Sequence, residues 1–111
     1  MVSARQAKRR MYGDLAPDRA AENAASLRPS SASIFRARST QPAWLSKPAT
    51  YVVCSQDRAL GVGRARTMAR RMVRSQLARG RAGNHVVTID AGHSPFYSVP
   101  ALVAEVVLDQ R

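Results

Sequence analysis

The chain has 111 residues, with 18 Lys and Arg against 7 Asp and Glu for a formal net charge of +11. A chain of this length makes one domain at most, burying about two thirds of the surface its unfolded form exposes, so a second domain is excluded. Large core residues are few, with 4 Met, 2 Phe, 3 Tyr and 1 Trp, which leaves alanine and valine to fill most of a small core.

Residues 1–13 form a polar, basic segment that reads as a frayed helix or as the truncated remnant of a longer element. From Ala16 to Leu27 a proline near the first turn, early acids and repeated alanines predict a short helix, stopped by Pro29 and the serines after it. Residues 14–49 together make a helix and a connector. Its second part carries Pro29, Pro42 and Pro48 and offers only Ile34, Phe35, Trp44 and Leu45 as large anchors, so it is expected to lie over another element.

Residues 50–111 read as β-α-β-α. Thr50-Tyr-Val-Val-Cys54 is a continuous β-branched and aromatic run, the pattern of a strand buried on both faces of a parallel sheet. Over residues 62–78, Ala65, Met68, Ala69, Met72, Val73 and Leu77 recur at helical spacing, with arginines filling the other face and Gly80 and Gly83 as stops. His85-Val-Val-Thr-Ile89 is the second strand, with His85 at its edge. Pro100 then opens a last helix whose Val99, Leu102, Val103, Val106 and Val107 form an apolar stripe. Strand, helix and strand in that order imply parallel strands joined by a right-handed crossover. The fold class is therefore α/β with an incomplete parallel sheet, since two parallel strands alone leave an edge that wants a neighbour.

Composition narrows the partners. The positive balance would draw nucleic acid, acidic lipid or acidic protein. The basic residues, however, fall in separate groups at 5–10, at Arg36 and Arg38, and at 64–81, and solvated helix faces account for them without a nucleic-acid partner. A lone cysteine, Cys54, excludes an internal disulfide and fits a reducing compartment; inside an apolar strand it reads as a small buried hydrophobe rather than a nucleophile. No apolar run approaches the roughly 18 residues of a membrane span, and the basic N-terminus lacks the apolar segment of a secretory signal, so a cytoplasmic location is expected. One Cys and two distant His give no zinc spacing, and Gly61-Val-Gly63 lacks the rest of a dinucleotide fingerprint, so neither a metal nor another cofactor is expected.

Two strand ends carry the chemistry. Asp57 follows the first strand, where open α/β sheets place their ligands and where a carboxylate can orient a histidine; a polar turn capped by the same side chain is the competing reading. His93 follows the second strand after Gly92, and a neutral imidazole there can take a proton from a hydroxyl if an acid holds its other nitrogen. Asp90, on the same turn as His93, reads as a local cap or ion pair. Ser94 is a poor nucleophile, because Phe96 stands where a nucleophile elbow needs a small residue and Pro95 removes the backbone N–H such a site uses as an oxyanion donor.

At these residues the chain resembles the C-terminal part of the alpha/beta hydrolase superfamily, in the esterase-like branch that also holds plant hydroxynitrile lyases and methylesterases. The resemblance is carried by Met11-Tyr-Gly-Asp14, Leu27-Arg-Pro29, Pro42-Ala-Trp44, the stretch from Pro48 to Ala59 with Asp57, and Asp90-Ala-Gly-His93-Ser-Pro-Phe96, which together span most of the chain from Met11 onward. It implies a catalytic acid at Asp57, a catalytic base at His93, a cap-like connector around residues 14–45 that would help cover a substrate pocket, and a small-molecule ester or amide substrate cleaved by a Ser-His-Asp triad. The family's order is nucleophile, acid, histidine, and only the last two have counterparts here, which points to a truncated form that is inactive alone. The chain departs from its relatives at Gly61-Val-Gly63 and in the 36-residue interval from Asp57 to His93, which is several residues longer than usual. A small basic binding protein, contacting nucleic acid or an acidic partner through the arginine helix, is the alternative.

Overall fold

The computed structural model describes residues 3–81 and 86–109; Gly83 and His85 lie outside them. Six helices and two strands follow the chain: α1 (Ala4–Met11), α2 (Pro17–Ala25), α3 (Ala32–Arg36), a 3-10 turn (Ala43–Leu45), β1 (Tyr51–Cys54), α4 (Val62–Ala78), β2 (Val86–Ile89), α5 (Pro95–Ser98) and α6 (Pro100–Leu108).

The strands pair in parallel with Tyr51 beside Val86 and Cys54 beside Ile89, and α4 makes the crossover between them. Because side chains alternate along a strand, Tyr51 and Val53 share one face with Val86. That face packs against Ala65 and Ala69 of α4, with Leu60 and Val62 at the margin. A second small core joins the N-terminal helices through Ala7, Tyr12, Ala20 and Ala24. Alanine, the smallest apolar side chain, lets both sets of elements approach closely, and the largest fully buried side chains are Gln76 and Val53.

Local chemistry sets the helix ends. Ser3 and Gln6 form a reciprocal capping box at the start of α1, and Lys8, Arg9 and Arg10 sit in its last turn, where the helix dipole favours positive charge. Pro17 occupies the first turn of α2 with Asp18 beside it. α4 closes on Gly80 at φ 70°, with Gly80 N–H donating to the Leu77 carbonyl and Arg81 N–H to that of Gln76. This is the paired hydrogen-bond pattern that a left-handed glycine permits.

Two expectations need correction. The buried stripe of α4 is Ala65, Ala69, Met72 and Gln76, while Met68 and Leu77 are exposed. The stripe includes a polar residue because the Gln76 side chain, fully buried, donates to the carbonyls of Trp44 (2.7 Å) and Lys47 (3.1 Å). Those bonds and the Arg81 guanidinium, which donates to the carbonyl of Ser46, hold only the last part of the connector. Ile34 and Phe35 of α3 stand exposed rather than packed over an element. In α6 no residue is buried, because a two-stranded sheet offers its apolar stripe too little surface to cover.

Candidate functional site

The carboxyl ends of β1 and β2 are tied together before any side chain enters. Ser55 N–H donates to the Ile89 carbonyl at 2.9 Å and Gln56 N–H to that of Ala91 at 3.0 Å, so the turns after both strands leave the sheet side by side. Asp90 reinforces the join: its carboxylate accepts from the Ser55 hydroxyl (2.7 Å) and the Gln56 side-chain amide (2.8 Å). These two bonds hold the Asp90 carboxyl below the usual carboxylate range. Asp90 thus braces the turn locally.

On this platform Asp57 and His93 meet. His93 Nδ1 lies 3.0 Å from Asp57 Oδ2 and 3.1 Å from Oδ1. The Asp57 side chain is 8% exposed and that of His93 35%. Asp57 also accepts from the backbone N–H groups of Ala59 and Leu60, both at 2.9 Å, so the carboxylate is fixed by its own turn before it reaches the ring. Both readings of Asp57 from sequence, turn cap and histidine partner, hold at once. Burial pushes the Asp57 carboxyl up, but the hydrogen bonds from His93, Ala59 and Leu60 outweigh it and keep the group below its ordinary value. An ionised, acceptor-only Asp57 favours the tautomer in which Nδ1 carries the proton, leaving the Nε2 lone pair as the ring's acceptor.

The sequence placed these two residues, but not their support. Asp14, 78 positions before Gly92, accepts the Gly92 N–H at 2.7 Å and so pins the peptide that precedes His93. A Cβ at Gly92 would stand 2.6 Å from Asp14 Oδ1, which is why a side chain does not fit there. Tyr12, two residues before Asp14, packs edge-on against Tyr97 of α5 with ring centroids 6.0 Å apart. The turn after α1 therefore braces the histidine loop from below. Met11-Tyr-Gly-Asp14 stood out in the sequence only as a resembling segment, and no local pattern could have shown its long-range role.

The remaining candidates are placed as their surroundings dictate. Cys54 is buried with a free thiol, and burial, with the Asp57 and Asp14 carboxylates nearby, pushes that thiol up, away from the thiolate a nucleophile needs. Ser94 is 3% exposed at the start of α5, where it presents no accessible hydroxyl. Among the described residues, no three His, Cys, Asp or Glu side chains gather as a metal site, and no helix is long and apolar enough to cross a membrane.

A sequence model of the alpha/beta hydrolase family matches residues 3–106, nearly the whole chain. The chain belongs to the alpha/beta hydrolase family. No curated protein and no solved structure shows a significant match to it. For a member of this family the α/β crossover and the helices around it are the expected architecture, and an acid and a histidine after successive parallel strands lie where open α/β sheets gather their functional groups.

Proposed function

We propose that Asp57 and His93 are the acid and base of a Ser-His-Asp hydrolytic site of the esterase-like kind, and that the chain is the C-terminal portion of such a hydrolase. The observation that carries this reading is the pair itself: two side chains 36 positions apart, on neighbouring strand ends, with Nδ1 between 3.0 and 3.1 Å from both carboxylate oxygens. Gly-X-Ser-X-Gly does not occur in the sequence, so the nucleophile is supplied by a part that carries the elbow.

In the proposed reaction Nε2 takes the serine proton as the serine oxygen attacks the carbonyl of an ester or amide, and Asp57 stabilises the imidazolium. The imidazolium then returns that proton to the leaving oxygen or nitrogen as the acyl-enzyme forms. Water, deprotonated by the same nitrogen, cleaves the acyl-enzyme and regenerates the serine. Asp57 keeps its negative charge throughout.

The test has two arms. The 111-residue chain alone is expected to hydrolyse p-nitrophenyl acetate no faster than its His93→Ala variant. Joined behind the nucleophile-bearing half of an esterase-like family member, it is expected to restore turnover that falls about 10⁴-fold in Asp57→Asn and is abolished in His93→Ala. Turnover of the joined protein that is indifferent to both substitutions would end the proposal.

A further inference from the structure

The arginines of α4 are not used by the hydrolytic pair, and the fold arranges them in a particular way. At 100° per residue Arg66, Arg70 and Arg74 fall on one side of the helix, next to Ala69 and Val73. These five residues form the wall of a groove of about 370 Å³ whose floor is Val53 of β1 with Val86 and Thr88 of β2. Arg64 and Arg71 fall on the other side of α4 and take no part.

Charge and shape of the groove select its occupant. Among the described residues the ion pair is His93 with Asp57, and no carboxylate neutralises Arg66, Arg70 or Arg74. Arg70 instead donates to the Thr67 hydroxyl of its own helix. The groove is thus apolar at its floor and carries three uncompensated positive charges along one rim. Successive arginines four residues apart rise by about 6 Å along the helix axis. In an extended peptide, side chains on the same side recur at about 6.6 to 6.8 Å, and the intervening ones point the opposite way. An extended segment of alternating acidic and apolar residues therefore sets its acids against the arginine row while its apolar side chains reach the floor. A smooth polyanion such as duplex DNA matches the charge but has nothing for the floor, and a single-headed amphiphile matches the floor but satisfies one arginine of three.

We propose that this groove is a docking site for an extended acidic peptide in which Glu or Asp alternates with aliphatic residues. The site is separate from the Asp57–His93 pair and stands or falls independently of the hydrolytic reading.

The test uses fluorescence anisotropy of a labelled peptide of alternating Glu and Val with the full chain at physiological ionic strength. Saturable binding is expected, weakened about tenfold or more when Arg66, Arg70 and Arg74 are all replaced by Gln, as three partly exposed ion pairs imply. Replacing Arg5, Arg9 and Arg10 by Gln removes the same net charge from α1 and is expected to change affinity less than about twofold. Glutamine is a good helix former, so α4 is retained. Thr88→Trp, which fills the groove from an exposed strand position, is expected to block binding without altering any charge. Equal losses in the two arginine triples would overturn the proposal, as would equal affinity for a peptide of Glu alone. Tighter binding of duplex DNA through the same arginines, or displacement of the peptide by decanoate, would also overturn it.

Discussion

Replacing Asp57 by alanine removes three contacts at once, and the structure lets their weights be separated. The N–H groups of Ala59 and Leu60 lose their acceptor, at about 1 kcal/mol each, the net value of an ordinary intramolecular hydrogen bond. The contact to His93 is worth about 1 kcal/mol more, below the roughly 1.5–3 kcal/mol of a bond to a charged group, because solvent screens a ring that is 35% exposed. Asp57→Ala is therefore expected to cost about 3 kcal/mol and His93→Ala about 1 kcal/mol. Asp57→Asn keeps an oxygen for the two backbone donors but turns an NH₂ toward His93. It should cost about 1 kcal/mol and move the ring proton from Nδ1 to Nε2.

Urea unfolding followed by circular dichroism measures the energies, and ¹⁵N NMR of the imidazole reads the tautomer. In the Asp57→Ala/His93→Ala double variant the pair contact is counted once, so its cost should match that of Asp57→Ala alone to within about 0.5 kcal/mol. If Asp57→Ala costs no more than His93→Ala, the carboxylate does not hold its own turn. If the double variant costs the sum of the singles, the Asp57–His93 contact carries no energy. A tautomer unchanged in Asp57→Asn would show that the carboxylate does not set the proton's position.

The pH dependence follows from the same carboxylate. Its value in the folded chain is depressed, so the stability it contributes is complete above the unfolded value of about 4 and is lost as pH falls through the lower folded value. Urea midpoints of the wild type should fall more steeply over that acid window than those of Asp57→Asn, while Asp90, shifted in the same direction, contributes equally to both proteins. Parallel acid profiles would contradict the assignment. At the supporting turn, Asp14→Ala should cost about 2 kcal/mol by removing the acceptor of the Gly92 N–H, and Gly92→Ala a similar amount by forcing a Cβ against Asp14. Combined, the two should cost less than their sum, because alanine at 14 vacates the space the new Cβ needs; strict additivity would show that they do not share a contact.

The residues legible in the sequence are those whose signal is local. β1 and β2 were visible because continuous Val, Ile, Tyr and Cys runs bounded by turn residues satisfy few other structures, and α4 because its apolar spacing and its glycine stop agree. Asp57 and His93 were visible because a strand end is a chemical address that can be read without knowing what lies opposite. Gln76 was missed, since a polar residue at an apolar position looks like an interruption until the Trp44 and Lys47 carbonyls are seen to need its amide. The α6 stripe is legible as apolar but its exposure is not: periodicity tells which face is apolar, not whether anything is there to cover it.

By itself, then, the sequence determined the order of elements, the placing of Asp57 and His93 after the two strands and the excess of positive charge, all properties of short stretches of chain. Tertiary structure decided the rest. It alone brought Asp57 within 3.0 Å of His93, put Asp14 under the histidine turn across 78 positions, and set three arginines of one helix along an apolar groove. Contacts of that kind depend on loop closure and on the register of a parallel pair, and neither is encoded in any single window of residues.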